Sequence, residues 1–390
     1  MNRSQEVQDE EFIRLSSIAL KIPESRVSGL LKRRVLQKVS RFFPDYYRFE
    51  KGTAGFETGT ALFKTGEIIE TVRGFPKIQR AMMLEAGIVT HFEGLPEVAV
   101  EEKMNGYNVR VASINDMVIA LTRGGLVCPY TTERVLENGG KEFFTEHPDL
   151  VLCGEMVGPD NPYVPKDLYP EVESISFFVF DIQQKNSGKS LTIDEKHELC
   201  SHYTIKTVPY FGKYSLDKAA PGITGIIREL GEKGREGVVI KDPGMKIPAI
   251  KYTSSQSTDS DLKYAFGFYN DYGQDFFFSR VVREGFQAVE WNEDEDTLKE
   301  RCCRLGESIL KSMVSTIRKR KQGERITEDV QIRVRNLDTA NRFEEHLRQM
   351  GIDAHFDDPL LVDGWYLIGI RKFNQSTNDR TEAILNGQLW

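Results

Sequence analysis

Apolar residues recur at the spacing of a helix in several parts of the chain. They predict a helix over residues 26–43, a segment without any acidic residue, and a long helix over residues 295–319. In the long helix the apolar positions form one continuous stripe, because they follow steps of three and four residues. The stripe consists of positions 298, 302, 305, 309, 313 and 317. Another helix is predicted to end at Gly351, a typical C-terminal cap residue.

Short runs rich in β-branched and aromatic residues predict strands at 98–102, 108–114, 117–121, 150–153, 176–182 and 237–241. A glycine- and threonine-rich segment, 52–74, predicts one or two hairpins before them. The polar run 254–261 predicts a loop or linker. A small α+β module is predicted at the end of the chain. Its elements are a strand of alternating apolar residues at 330–334, the helix that ends at Gly351 and a strand at 365–370. We therefore expect four domains, at residues 1–65, 66–252, 253–325 and 326–390.

Composition is that of a folded, water-soluble protein. The 390 residues exceed the usual size of one domain, and no apolar run is long enough to span a membrane. The N-terminus lacks the pattern of a secretory signal, so we expect an intracellular, cytoplasmic protein with no membrane partner. The five cysteines include no C-x-x-C pair and are expected to be reduced thiols. Because the net charge is −7, nucleic acid could bind only through local basic surfaces.

One lysine, Lys103, lies between an apolar strand and a glycine-containing turn. The sequence reads Val98-Ala-Val-Glu-Glu-Lys103-Met-Asn105-Gly106. In most proteins a lysine before a turn is simply solvated, so this motif alone does not identify a site.

Further short motifs follow Lys103 in a fixed order. They are Thr122-Arg123-Gly124-Gly125, Leu152-Cys153-Gly154-Glu155, Phe177-Phe178-Val179-Phe180-Asp181, Arg235-Glu236-Gly237 through Lys241, and Ala249-Ile250-Lys251-Tyr252. The ordered series resembles the covalent nucleotidyltransferase superfamily of polynucleotide ligases and mRNA capping enzymes, whose K-x-(D/N)-G signature precedes five further motifs. The resemblance covers residues 70–252.

The details of the match resemble one family within this superfamily. Asn105 replaces the Asp usual in DNA ligases and capping enzymes, and Arg73-Gly-Phe-Pro-Lys77 is similar to a segment of RNA ligases. The extensions on either side resemble the archaeal ATP-dependent RNA ligase family, which adds a dimerisation domain and a small C-terminal domain. No five-stranded oligonucleotide-binding barrel is evident after Lys251, which argues against a DNA ligase or capping enzyme.

The resemblance implies a multidomain α+β fold. Its core would be a nucleotidyltransferase domain of antiparallel, ATP-grasp-like sheets with helices. An N-terminal module, a helical dimerisation domain and a small α+β C-terminal domain would surround that core.

The resemblance also implies that Lys103 attacks the α-phosphate of ATP and holds AMP as a phosphoramidate. An ammonium group is not a nucleophile, so nearby cations should lower the pKa of Lys103, and Lys241 and Lys251 are candidates. A divalent cation, Mg²⁺ or Mn²⁺, would offset charge on the phosphate. Glu236 and Glu155 are the carboxylates expected to hold metal or nucleotide.

Other residues are expected to contact the nucleotide. Arg123 can reach ribose or phosphate with its planar guanidinium. Strand alternation places Glu101 on the same face as Lys103, and Glu102 on the other. By resemblance, Glu101 accepts from the amine of adenine and favours ATP over GTP, although it could also be an ordinary strand-end acid. Phe180 is the expected base-stacking ring.

Two positions depart from the superfamily pattern. Asn108, also expected to bind nucleotide, stands where DNA ligases commonly have Arg. The last motif often contains two lysines, but here Ile250 precedes Lys251. Lys246 is a candidate for the second lysine although its spacing is wrong, so its role stays open.

Substrate-side features are less specific. The basic residues Lys32, Arg33, Arg34 and Lys38 are candidate RNA contacts, with a solvated helix face as the alternative. The apolar stripe of the long helix is either buried in its own domain or self-associates, and the resemblance favours a homodimer.

The sequence therefore resembles an ATP-dependent RNA ligase that joins the 5′-phosphate and 3′-hydroxyl ends of single-stranded RNA, including intramolecular circularisation. Another polynucleotide ligase, a capping-type guanylyltransferase and a non-catalytic RNA-binding protein remain alternatives. A protein kinase is poorly supported, because no glycine-rich loop precedes Lys103.

Overall fold

The computed structural model describes residues 3–53, 55–137, 140–164 and 168–389. The described residues form four β-sheets with helices packed around them, which confirms the mixed α+β class. Within them, no helix is both long and apolar enough to cross a membrane. The five cysteines form no disulfide, as expected.

The N-terminal part is a helical pair on a four-stranded sheet. The helices are α1 (Arg3–Leu20) and α2 (Glu24–Lys32), and the antiparallel strands, in spatial order, are β1 (Leu36–Val39), β2 (Tyr46–Phe49), β3 (Ala61–Thr65) and β4 (Ile68–Val72). Helices and sheet share a core that includes Phe12, Leu30 and Phe49. The hairpin predicted within 52–74 is confirmed as β3–β4.

The helix predicted over residues 26–43 is wrong beyond Lys32. Arg34 adopts a φ of +55°, which turns the chain out of the helix. Leu36 then pairs with Phe49 of β2. The strand pairing outweighs the helical periodicity, because it satisfies the backbone and buries Leu36 in the same core as Leu30.

Two further sheets form the middle of the chain. The first has the order β11-β6-β12-β13-β5 and the second the order β10-β9-β7-β8. Their strands are β5 (Gln79–Arg80), β6 (Glu97–Lys103), β7 (Tyr107–Ile114), β8 (Met117–Thr122), β9 (Leu150–Val157), β10 (Ser176–Gln184), β11 (Tyr210–Ser215), β12 (Gly237–Lys241) and β13 (Ile250–Thr253). The accompanying helices are α3 (Leu84–His91), α4 (Pro129–Leu136), α5 (Gly140–Glu146), α6 (Ile193–His202) and α7 (Ala219–Glu232), with a 3₁₀ turn at Leu216–Lys218. All the strands predicted in this region are confirmed.

A tight turn links these two sheets. Lys103 ends β6 and Tyr107 begins β7, so residues 104–106 carry the chain from one sheet to the other. Gly106 lies so close to β9 that a Cβ there would be 2.1 Å from the carbonyl oxygen of Met156. Only glycine fits this approach, which places Lys103 at the junction of the sheets.

Helices and a small α+β module complete the chain. They comprise α8 (Ser255–Gly267), α9 (Gln274–Glu290), α10 (Glu295–Lys321), β14 (Thr327–Val334), α11 (Leu337–Gln349), β15 (Ala354–Phe356), β16 (Leu360–Val362), β17 (Trp365–Phe373) and α12 (Gln375–Leu385). The predicted long helix, the strands at 330–334 and 365–370 and the positive φ of Gly351 are confirmed.

The loop predicted at 254–261 is wrong, because this polar run begins α8. The Ser254 hydroxyl accepts from the backbone N–H of Ser257 and caps the helix. Ser255 is buried, and its hydroxyl accepts from Arg301 of α10 at 3.0 Å. Polar side chains are buried here because they bind one another across a helix junction, which composition alone does not reveal.

The division into four domains stays a prediction. β3 and β4 pair with each other on either side of the expected boundary at residue 65, so the N-terminal sheet continues to Val72. That sheet shares a core with the β7–β8 region, in which Phe63 packs with Ile114 and Leu121.

Candidate active site

A cleft of about 990 Å³ lies where the sheets meet. Eight of the residues expected from the sequence line it: Glu101, Lys103, Asn108, Arg123, Glu155, Phe180, Lys241 and Lys251. The ninth expected residue, Glu236, is next to the cleft, because its Oε2 lies 3.0 Å from Nζ of the cleft residue Lys103. Motifs spread over about 150 residues of sequence therefore converge at one place.

Lys103 is held by acids in this structure. Its Nζ donates to Glu236 Oε2 at 3.0 Å and to the Met104 carbonyl at 2.9 Å. Burial alone would lower the pKa of Lys103, but the charges of Glu236 and Glu155 outweigh it and raise the pKa. The two carboxylates therefore favour the protonated form of this amine.

The two other lysines differ in their surroundings. Lys251, on β13, has its pKa lowered to about 8, first by burial and then by the charges of Lys103, Arg80 and Arg280, against the opposing effect of Glu236. Lys241 instead donates to Glu101 Oε2 and to the Phe180 carbonyl, both at 2.6 Å. Lys251 is thus the cation electrostatically coupled to Lys103, whereas Lys241 is committed to Glu101.

Glu101 is fully buried between two lysines. Lys241 binds one carboxylate oxygen, and Lys196 of α6 binds the other. Burial opposes ionisation, but Lys241, His197 and Lys196 together hold the pKa of Glu101 well below its ordinary value. Sequence reasoning missed Lys196, because its partner lies 95 residues away. The expected contact of Glu101 with adenine stays a prediction.

Glu155 and Glu236 form an acidic pair beside Lys103. Burial, together with the charge of Glu236, raises the pKa of Glu155 to about 7, against the opposing effect of Lys103. A divalent cation fits this pair, because carboxylate oxygens are hard ligands and a cation would relieve their repulsion. The described residues contain no group of three or more His, Cys, Asp or Glu side chains placed to hold a metal. Two carboxylates plus substrate phosphates and water is a set typical of Mg²⁺.

Arg123 stands on a turn that other parts of the chain hold in place. Arg110, fully buried, donates to the carbonyls of Thr122, Arg123 and Gly59, at 2.7, 3.4 and 3.0 Å. Arg48 of β2 donates to the Gly124 carbonyl at 2.7 Å. The exposed Arg123 side chain is therefore presented to the cleft from a fixed backbone. Neither Arg48 nor Arg110 was expected from the sequence, since both act through contacts distant along the chain.

Phe180 projects into the cleft beside a second ring. It makes an edge-on contact with Phe75, with ring centroids 4.9 Å apart, and Lys241 Nζ lies 5.8 Å from its centroid. A bulge at Val179/Asp181 interrupts the alternation of β10. The half-buried Phe180 ring is available for stacking, whereas Phe177 is buried in the core. Asn108 Oδ1 is also buried at the cleft, and no described residue forms a hydrogen bond with it.

The expected RNA contacts do not lie on one helix. Lys32 ends α2, Arg33 and Arg34 form the turn after it, and Lys38 lies on β1, where it pairs with Asp45 at 2.5 Å. All four are exposed. Lys246 is exposed at the rim of the cleft. Whether these residues contact RNA stays a prediction.

Comparison with known proteins identifies the family. Residues 96–253 match the family described as RNA ligase, and residues 264–388 match the family described as Ligase Pab1020 C-terminal region. The chain is 39% identical over 360 residues to the uncharacterized protein MJ0414 of Methanocaldococcus jannaschii, covering 90% of this chain and 89% of that protein.

Comparison with solved structures indicates the same family. A structure named archaeal ATP-dependent RNA ligase, form 1, is 44% identical, covers 97% of this chain and 99% of its own, and has a TM-score of 0.91. A protein from Aquifex aeolicus, provisionally named an ATP-dependent DNA ligase, is 26% identical and covers 94% and 100% of the two chains, with a TM-score of 0.87. With a converged nucleotidyltransferase cleft and full-length similarity of this extent, the chain belongs to the family of archaeal ATP-dependent RNA ligases.

Proposed function

We propose that the protein joins RNA ends at the expense of ATP, through AMP attached covalently to Lys103. The observation that carries the proposal is the position of Lys103 Nζ in the cleft, 3.0 Å from Glu236 and within the electrostatic reach of Glu155 and Lys251. A lysine among acids that favour a divalent cation, beside a second cation, suits attack on a phosphate.

The reaction has three steps. Lys103 loses a proton and attacks the α-phosphate, so an N–P bond forms, the bond to the β-phosphate breaks and pyrophosphate leaves. A 5′-phosphate oxygen of RNA then displaces the lysine and takes the AMP. Finally, an RNA 3′-hydroxyl attacks that 5′-phosphate, which forms a phosphodiester and releases AMP. When both ends belong to one strand, the product is a circle.

The residues of the cleft divide this work. Lys251 would neutralise the α-phosphate, and Arg123 would hold ribose or phosphate. Phe180 would stack on the base, and Asn108 would accept from a ribose hydroxyl through its Oδ1, which has no partner among the described residues. The ion pairs of Glu101 with Lys196 and Lys241 would hold the Lys241 side chain in position at the cleft. Glu236 and Glu155 would hold Mg²⁺ or Mn²⁺, which offsets phosphate charge when bound.

The first test measures AMP attachment. Protein is incubated with Mg²⁺ and α-labelled ATP or GTP, and acid-labile label on the chain is counted. We expect label from ATP alone, and none in Lys103→Ala. Lys218→Ala, a change of the same kind at an exposed position just before α7, should retain label. The protein must be folded and free of bound AMP for this test. If it then takes no label from either nucleotide, the ligase mechanism is contradicted, and the protein would instead be a non-catalytic RNA-binding protein.

A second test separates RNA from DNA substrates, since the Aquifex aeolicus relative carries a DNA ligase name. Adenylylated protein is given either 5′-phosphorylated single-stranded RNA or nicked duplex DNA. We expect circular or joined RNA and little sealing of DNA. Preferential sealing of the nicked duplex would contradict the RNA assignment.

We also propose that the protein is a homodimer through α10. The side of α10 that faces the rest of the chain is polar, with Arg301, Ser308 and Thr316 buried. The apolar stripe predicted from the sequence lies half-buried or exposed, as Leu298 and Ile317 illustrate. A 27-residue helix that exposes its apolar side is suited to self-association.

A further inference from the structure

The sheet that carries Lys103 and Lys251 ends with Arg80, on the edge strand β5. Residues paired across a sheet point to the same face. Glu101 pairs with Val239, Val239 pairs with Lys251, and Lys251 pairs with Arg80. The first three line the cleft. Arg80 is therefore the next side chain on the same face of this sheet, directly beyond Lys251, although it does not itself line the cleft.

Arg80 and Lys251 are neighbouring cations without a carboxylate of their own. Within the described residues, the salt bridges include neither of them. The two acids in electrostatic reach of Arg80 pair elsewhere, Glu236 with Lys103 at 3.0 Å and Asp261 with Arg280 at 2.8 Å. Arg80 is half-buried, and its Nη1 is buried without a hydrogen-bond partner in the described part of the chain.

A third cation, which itself pairs with Asp261, borders this region from another part of the chain. Arg280 lies on α9, within the segment that matches the C-terminal ligase family, and acts electrostatically on both Arg80 and Lys251. Like charges brought together and partly removed from water are costly unless an anion compensates them. The arrangement therefore favours a ligand with several negative charges.

We propose that Arg80, supported by Arg280, binds the β- and γ-phosphates of ATP and the pyrophosphate that they become. This inference rests on the proposed attack of Lys103 on the α-phosphate. If Lys103 and Lys251 flank the α-phosphate, Arg80 is the next cation beyond Lys251 for the phosphates that follow. When the N–P bond forms, the oxygen that bridges the α- and β-phosphates keeps the bonding electrons. Arg80 would stabilise that growing charge.

The test compares a step that involves pyrophosphate with one that does not. Arg80→Met and Arg80→Lys are assayed for AMP attachment from ATP, and for the reverse reaction, in which pyrophosphate removes AMP from Lys103. The same variants are assayed for sealing of RNA that already carries AMP on its 5′ end. For Arg80→Met we expect a loss of roughly tenfold to a hundredfold in both directions of the first step, and unchanged sealing. Arg80→Lys should recover part of the loss.

Two results would overturn the proposal. Equal losses in AMP attachment and in sealing would mean that Arg80 only supports the structure. A loss of activity in the sealing assay alone would mean that Arg80 binds a phosphate of the RNA. A wild-type protein that takes no AMP at all would instead contradict the proposed function, so the two failures can be told apart.

A binding measurement that needs no catalysis complements the assay. Tripolyphosphate is titrated into the wild-type protein, Arg80→Met and Arg371→Met, the last a half-exposed arginine of β17 paired with Asp357. We expect weaker binding in Arg80→Met alone. Equal affinities in all three proteins would contradict a polyphosphate site at Arg80.

Discussion

At the scale of single residues, short motifs supply the reactive groups of the cleft, and contacts remote in sequence supply their partners. Lys103, Glu155 and Lys251 were recognisable because each lies in a short local motif. Lys196 and Arg80 were not, since Lys196 meets Glu101 across 95 residues and Arg80 meets Lys251 only through strand pairing. The motifs therefore predict which side chains react, but a partner brought near by the fold leaves no local signal.

The charge state of Lys103 is a related case. The sequence suggested that neighbouring cations lower its pKa, whereas in this structure Glu236 and Glu155 raise it. A motif shows which types of residue meet in the site, but it does not show which of them lies nearest to the lysine. Because Glu236 is the group that contacts Lys103, the carboxylates have more influence than Lys251 on this amine.

A residue outside the cleft, His346 of α11, should make stability depend on pH. It is fully buried beside Phe343, and neither ring nitrogen has a hydrogen-bond partner among the residues that the structure describes. Burial lowers its pKa to about 4. The unfolded chain takes up a proton below pH 6.5 while the folded protein does not, so stability is lost as the pH falls from 6.5 towards 4. This loss should reach about 2 kcal/mol at pH 5.

The measurement is urea unfolding at pH 7.5 and pH 5. In His346→Leu, the difference in the free energy of unfolding between the two pH values should shrink by about that amount. His355→Leu, which changes an exposed histidine on β15, should leave the difference as in the wild type. An unchanged pH dependence in His346→Leu would mean that other groups cause it.

At the scale of elements, periodicity predicted strands and the long helix well, and failed where pairing or capping decided the outcome. The helix predicted over 26–43 ends at Lys32, because β1 pairs with β2. The predicted linker at 254–261 is helical, because Ser254 caps α8 and Ser255 finds partners on α9 and α10. In both places, contacts remote in sequence override the local pattern.

The contact between the N-terminal sheet and the Arg123 turn gives a prediction at this scale. Gly59 has a φ of +81°, and a Cβ there would lie 2.0 Å from the Arg123 carbonyl oxygen. Gly59→Ala should therefore displace the turn and lower AMP attachment severalfold. Gly66→Ala, at a φ of +60° with nothing within 4 Å, carries only the backbone strain, about 1 kcal/mol, and should retain activity.

Rates of AMP attachment per folded molecule, with thermal unfolding as the control for folding, distinguish the two variants. If Gly59→Ala were destabilised yet transferred AMP at the normal rate, the N-terminal sheet would be a support for the fold and not for the position of Arg123.

At the scale of the whole molecule, modules from both ends of the chain frame the cleft. Arg48 and Arg73 of the N-terminal part line it, as do Gln349 and Met350 at the end of α11. The two ends also touch each other, since Arg342 of α11 donates to the Phe42 carbonyl at 2.9 Å. The sequence predicted modules on either side of a catalytic core, but not that both contribute walls to one cleft.

The apolar side of α10 gives the last prediction. Leu310 and Ile317 are 60% and 39% exposed and lie two turns apart. Ile317 belongs to the predicted stripe, and Leu310 lies on the exposed side of the helix that adjoins it. If this side is the dimer interface, Leu310→Asp combined with Ile317→Asp buries two unpaired charges and should yield monomers. Val289→Asp, on the separate exposed face of α9 and 73% exposed, should leave the dimer intact.

Light scattering of the three proteins over a range of concentrations gives the mass. A dimer that survives the double change on α10 but not the change on α9 would move the interface to α9. A monomeric double variant that still attaches AMP would mean that each cleft is complete within one chain, as expected because every residue assigned here to the reaction comes from a single copy.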